Sequence, residues 1–137
     1  MKKFIIKSYC KINLSLRVLK KLRSGYHNIN SFITFCNVYD VISIQIHKNL
    51  KDKITFVGKF KKKINQKANT ITKVLYLLRK NNLLKNNTFT IEVEKNVPHG
   101  SGLGGGSSNA ANLLNFLNLK MNLKIKKNEL FKIANKI

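Results

Sequence analysis

Five of the seven glycines in this 137-residue chain fall between positions 100 and 106. The segment reads Pro98-His99-Gly100-Ser101-Gly102-Leu103-Gly104-Gly105-Gly106-Ser107-Ser108. In a chain so poor in glycine, that clustering needs a backbone reason. Glycine permits positive φ and lets a ligand approach the main chain closely. A glycine loop running into a helix aims free backbone N–H groups at one place, and the helix dipole favours an anion there. Ser107 and Ser108 add hydroxyl donors. The chemistry is that of a phosphate cradle. Two familiar cradles are excluded. Gly106 is followed by Ser107-Ser108, not by the Lys-Ser/Thr pair of a P-loop. Gly100, Gly102 and Gly105 satisfy G-x-G-x-x-G, but a dinucleotide site needs a second strand ending in an acid about 20 residues on. Here a second helix follows, and Glu129 is the one acid downstream.

The flanking stretches must position this loop. Thr88 to Glu94 alternates, with Phe89, Ile91 and Val93 on one face and Thr90, Glu92 and Glu94 on the other, which predicts a strand. Ser107 to Leu119 carries Ala110, Leu113, Leu114 and Leu117 at helical spacing. Strand, glycine loop and helix thus follow in order. Upstream, Phe4 to Ile6, Ile12 to Val18, Phe32 to Phe35, Val41 to Ile46 and Ile54 to Val57 read as short strands, with a turn at Ser24-Gly25. Phe60 to Lys67 reads as a basic, solvated connector. Ile71, Val74, Leu75, Leu78 and Leu83 follow helical spacing, capped by Asn69 or Thr70. A last helix from about Lys126 presents Leu130, Ile133, Ala134 and Ile137. That stripe runs to the final residue, so the end reads as cut rather than finished. No repeat or internal boundary is evident, and the pattern predicts one α+β unit.

The formal charge is +22, from 27 Lys and Arg against 5 Asp and Glu. Such a balance first indicates a nucleic-acid binder. Its make-up argues otherwise. There are 24 Lys but 3 Arg, and the chain also holds 19 Asn and 15 Ile. Lys, Asn and Ile have AT-rich codons, so the skew reads as mutational drift on tolerant surface positions. A dedicated reader of nucleic acid uses Arg more often, for bidentate contacts. Cys10 and Cys36 form neither a disulfide framework nor a spaced zinc set. The start Met1 to Ile6 mimics a signal peptide, but Lys7 and Lys11 interrupt the apolar run. No stretch approaches the roughly 20 apolar residues of a membrane span. The expectation is a cytoplasmic protein that binds neither nucleic acid nor membrane.

The P-x-G-x-G-L-G-G-G-S-S run, between a strand and a helix, resembles the ATP-binding motif of the GHMP kinases. These small-molecule kinases cradle ATP phosphates without a P-loop. Three other stretches resemble one branch of the family, whose acceptor is 4-diphosphocytidyl-2-C-methyl-D-erythritol. They are Lys11-Ile12-Asn13-Leu14-Ser15-Leu16, Gly25-Tyr26-His27 and Asn69-Thr70-Ile71. The resemblance implies a two-layer GHMP N-terminal domain over residues 1–137, of the ribosomal-protein-like α/β sandwich type. It implies transfer of the ATP γ-phosphate to the acceptor's 2-hydroxyl, with magnesium accompanying the ATP.

By the same resemblance Lys11 is the active-site lysine, and an ammonium there favours loss of the hydroxyl proton and balances phosphoryl charge. Asn13, two residues on along the same strand face, sits near the substrate. Tyr26 and His27 hold its cytidine end. Pro98, His99, Gly100, Ser101, Gly102, Leu103, Gly104, Gly105, Gly106, Ser107 and Ser108 surround the ATP phosphates, and Asn69 approaches the nucleotide. Ser108 is, by position, the candidate magnesium ligand. Several residues depart from the pattern. Tyr9-Cys10 stands where the family has Pro-Ala, and Ile33 stands where an aromatic often faces the substrate. The family's catalytic aspartate lies in a Gly-x-Asp segment that would fall just past Ile137, and its second domain would lie beyond. The 137 residues alone are therefore expected to be catalytically poor. Of the acids present, Asp40 reads as a turn stabiliser, and Glu92 and Glu94 as solvent-facing. Two rival readings are another GHMP kinase, of homoserine or mevalonate type, and a basic RNA-binding module.

Overall fold

A computed structural model describes residues 2–48 and 51–137. Met1, part of the signal-like start, lies outside the described residues. The elements run β1 (Lys3–Lys21), β2 (His27–Lys48), β3 (Lys53–Val57), α1 (Thr70–Lys80), β4 (Asn87–Glu94), α2 (Gly105–Lys120) and α3 (Lys127–Ala134). The strands form one sheet in the order β1-β2-β4-β3. β1 pairs antiparallel with β2, and β2 antiparallel with β4. β3 lies parallel to β4, so α1 serves as the crossover that a parallel pair requires.

The alternation in β4 settles the layers. Phe89, Ile91 and Val93 are fully buried, while Glu92 and Glu94 are exposed on the other face. Ile42 and Ile44 of β2 join the buried face. Ile71, Val74, Leu75 and Leu78 of α1 and Leu113, Leu114 and Leu117 of α2 close over them. The result is the expected α+β arrangement of one sheet covered by helices on one face. α3 has no fully buried residue; Leu130 and Ile133 pack on the margin of the core.

Four expected short strands turn out to be two long ones. β1 and β2 pair from Lys3–Gln45 to Lys21–His27. Register shifts between Tyr9 and Lys11, Asn13 and Ser15, and Val18 and Lys20 interrupt the pairing. A bulge disturbs the alternation of side chains without ending the strand, so in the sequence it looks like a strand end. Beyond the reach of β4, the hairpin continues as a two-stranded arm. Its apolar side chains are open, with Phe32 68% and Phe35 69% exposed. Leu83, expected on α1, lies past its end, where its N–H donates to the Leu78 carbonyl. Of the two candidate caps, Asn69 caps α1. Its side chain accepts from Thr72 N at 3.0 Å, and Thr72 Oγ1 accepts from Asn69 N.

Candidate functional site

The glycine loop leaves β4 at Glu94 and enters α2 two residues earlier than the apolar stripe predicts. Gly104 is the N-cap, with φ 69°. A Cβ there is strained by that φ and would also lie 3.3 Å from Lys11 Cγ. Gly105 answers a different need. A Cβ on it would sit 2.9 Å from Val97 Cγ1, so glycine lets the helix start press against the strand exit. The first helical bond runs from Ser108 N to the Gly104 carbonyl at 2.8 Å. The N–H groups of Gly105, Gly106 and Ser107 precede it and have no helical carbonyl to meet. No acid stands in this first turn.

Gly105, Gly106 and Ser107 line a cavity of about 1010 Å³. Its rim includes Pro98, Gly100, Ser101, Gly102, Gly104, Gly105, Gly106 and Ser107, together with His99. The start of α1 borders it too, through Asn69, Thr70 and Lys73. Thr70 Oγ1 donates to the Gly106 carbonyl at 3.1 Å, tying the two helix starts together. Two positive dipole ends therefore converge on one space. Phe56, Ile64, Ala68 and Tyr76 supply an apolar wall, and Lys67 and Lys95 supply cations. Asn69 lends its backbone position rather than free polar atoms. Its amide nitrogen donates to the Asn65 and Gln66 carbonyls at 3.0 and 3.1 Å.

On its other flank the loop leans on β1. Lys11 N donates to the Leu103 carbonyl at 3.0 Å, and the Lys11 side chain lies against Gly104. Lys11 Nζ donates to Asn13 Oδ1. Asn13 Nδ2 donates to Ser31 Oγ at 2.6 Å, and that hydroxyl donates to the Ser15 carbonyl at 2.7 Å. The chain of bonds fixes Asn13 and holds the ammonium beside the loop. Tyr26 and His27 are not brought to this place. They stand at the hairpin tip, where Tyr26 is 77% exposed and His27 pairs with Lys21. Ten residues of strand from Lys11 to Lys21 span at most about 33 Å.

Two expectations need correction. Ser108 does not offer its hydroxyl to the cavity. It donates to the Tyr9 carbonyl at 2.7 Å and accepts from Ser8 Oγ at 2.9 Å. Asp40 does not stabilise a turn. It is a fully buried strand residue whose carboxylate pairs with the buried Lys95. The same carboxylate accepts from Asn96 N, Val97 N and Asn109 Nδ2 at 2.8, 2.9 and 2.8 Å. Sequence reasoning missed this network. Its one signal was an acid inside the apolar run Val38-Tyr39-Asp40-Val41-Ile42, in a chain with only 5 acids. A magnesium ion, which the resemblance implies, would be held here chiefly by the nucleotide phosphates. No three His, Cys, Asp or Glu cluster among the described residues, and both Asp40 oxygens are already bonded.

One sheet covered by helices, with a glycine loop feeding a helix start, is the architecture the comparisons with known proteins address. The model of the GHMP kinases N terminal domain matches residues 69–137, and the chain belongs to this family. A 4-diphosphocytidyl-2-C-methyl-D-erythritol kinase of Pelagibacter ubique (strain HTCC1062) is 49% identical over all of this chain and 48% of its own length. The enzyme of that name from Sulfurihydrogenibium sp. (strain YO3AOP1) is 39% identical over 97% of this chain and 46% of its own length. The chain thus spans about half the length of the curated relatives it matches. A solved 4-(cytidine 5'-diphospho)-2C-methyl-D-erythritol kinase superposes with TM-score 0.70 at 24% identity, covering 97% of this chain and 45% of the other. A homoserine kinase from Cytophaga hutchinsonii gives 0.69 at 15% identity, covering 98% of this chain and 40% of the other. At such identities these two likenesses speak for the fold alone.

Proposed function

We propose that this chain is the ATP-binding portion of a kinase that transfers the ATP γ-phosphate to the 2-hydroxyl of 4-diphosphocytidyl-2-C-methyl-D-erythritol. The convergence of two helix starts on one cavity, with Lys11 against the far side of Gly104, carries the reading. Free amides of Gly105, Gly106 and Ser107 bind phosphate oxygens, and the apolar wall of Phe56, Ile64 and Tyr76 takes the base. Lys11 balances charge on the phosphoryl group and eases proton loss from the acceptor hydroxyl. Asn13 orients that ammonium. Tyr26 and His27, out on the arm, hold the cytidine end of the extended acceptor. The choice of acceptor rests on the relatives' names and the 49% identity, since the fold alone is shared with a homoserine kinase. The reading carries with it a cytoplasmic enzyme; among the described residues no helix is long and apolar enough to cross a membrane.

Titration calorimetry with ATP, ADP and adenosine tests the phosphate cradle. Affinity should fall in that order, and equal affinities or no heat with any of them would overturn the reading. With ATP present, a panel of the cytidine substrate, homoserine and mevalonate tests the acceptor. Only the first should bind. An electrophoretic shift of RNA that persists at moderate salt would instead favour the nucleic-acid reading.

A further inference from the structure

We propose that Asp40 is a positioning residue for the glycine loop, clamping the strand that enters it to the helix that leaves it. The proposal rests on the phosphate-binding reading for its purpose, but the clamp itself is a matter of geometry. Asp40 lies in β2, is 0% exposed, and does not line the cavity. Its two oxygens divide the work. Oδ1 accepts the N–H groups of Asn96 and Val97, which lead into the loop. Oδ2 accepts from Asn109 Nδ2, one turn into α2, and from Lys95 Nζ. Residues 98–108 hang between these two anchors. Their remaining described ties to strands all go to β1, at Ser8, Tyr9 and Lys11.

A buried ion pair is weak evidence of stabilisation, because apolar residues of similar volume often do as well. An apolar pair could not, however, satisfy two backbone N–H groups and a side-chain amide from elements on opposite sides of a loop. The carboxylate also sets where Lys95 lies. Its Nζ, paired with that carboxylate, stands 3.5 Å from the Cβ position of Gly105, and Lys95 is among the residues that line the cavity. Asn109 lines the same space, and its side-chain oxygen is buried with no partner among the described residues. Asp40 thus holds both ends of the loop without itself lining the cavity.

Asp40→Asn keeps one acceptor oxygen for Asn96 and Val97 but turns an NH₂ toward Asn109 and Lys95. It also leaves the Lys95 charge unpaired, so it is paired with Asp40→Asn/Lys95→Met, which removes both charges. The decisive readout is amide hydrogen exchange in the unliganded 137-residue chain. In the double variant the unfolding temperature should return close to wild type. The amides of Ser108 to Ala111 should still exchange at least about tenfold faster than wild type, equivalent to about 1.4 kcal/mol, while those of Ile91 and Val93 stay unchanged. Wild-type protection at Ser108 to Ala111 would overturn the proposal. Should the double variant fail to fold, Asn109→Ala removes only the helix anchor and leaves the ion pair intact. Faster exchange of the same four amides supports the clamp, and unchanged exchange refutes it. A wild-type chain that ignores ATP would defeat the phosphate-binding reading, yet these exchange rates would still decide the clamp.

Discussion

The backbone N–H of Lys11 donates to the carbonyl oxygen of Leu103 at 3.0 Å. One bond joins the hairpin to the glycine loop and sets the only lysine of the Lys11-Ile12-Asn13 stretch against Gly104. The loop is therefore a thin wall, with the cavity on one side and the Lys11–Asn13–Ser31 chain of bonds on the other.

Replacing Lys11 by Met tests that geometry. The main-chain bond to Leu103 survives, since any residue but proline supplies the N–H. The aliphatic stem that packs on Gly104 also survives. What is lost, on the proposed function, is a cation near the terminal phosphate. A hydrogen bond to a charged group is worth about 1.5–3 kcal/mol. ATP affinity should therefore fall by about tenfold or more, and ADP affinity by clearly less, with thermal unfolding unchanged. Calorimetric titration of both nucleotides measures the difference. Equal losses for ATP and ADP would place the ammonium elsewhere on the phosphate chain.

Gly105→Ala tests the pressed contact between the loop's two ends. The new methyl would meet Val97 Cγ1 at 2.9 Å and Cβ at 3.1 Å, and Val97 is fully buried. Overpacking of this kind costs about 1–3 kcal/mol. Adding Val97→Ala removes the obstructing methyls, so the double variant should lose less stability than the two single losses added together. Urea unfolding of the four proteins completes the cycle. Strict additivity would mean that the helix start moves away from Val97 freely.

The two ends of this chain differ in how openly the sequence reveals them. β4, α1 and α2 were legible because each meets the core on one face, so Phe89, Ile91 and Val93 alternate and Ile71, Val74, Leu75 and Leu78 recur at helical spacing. The long hairpin was not, because bulges near Cys10, Leu14 and Leu19 reset the alternation that marks a strand. In the site, the glycine run was visible as a departure from composition. Asp40 was invisible as a partner of Lys95, since the two are 55 residues apart and only strand pairing brings them together. Ser108 was misread because its hydroxyl direction depends on the Tyr9 carbonyl, which a sequence does not place.

The hairpin arm yields a contrast in stability. Phe35 lies on the arm and is 69% exposed, whereas Phe89 is fully buried in the core. Truncating a buried Phe to Ala costs about 3–5 kcal/mol. A surface change of this kind usually stays within about 0.5 kcal/mol. Phe89→Ala should thus bring the chain near global unfolding, while Phe35→Ala leaves the urea midpoint almost where it was. A large loss from Phe35→Ala would mean that the arm folds back on something in solution.

Cys10 gives the fold a dependence on alkaline pH. It is 2% exposed, and burial pushes its thiol pKa up, with the neighbouring Cys36 adding to the rise. The folded chain therefore holds this proton more tightly than the unfolded chain does. Below the ordinary value of 9.0 both states are protonated and the contribution is fully present. As pH rises past that value the unfolded thiol ionises first, and stability falls until the folded thiol also ionises. Lys7, raised chiefly by the neighbouring Tyr39, over whose ring its ammonium lies, acts in the same direction but from a fully exposed position, so its share is small. Cys10→Ala removes the buried thiol and leaves Lys7 in place. Urea midpoints taken between about pH 8 and pH 10 should decline for the wild-type chain and decline less steeply for the variant. Identical slopes would show that the thiol at position 10 loses no more solvation on folding than a surface cysteine does.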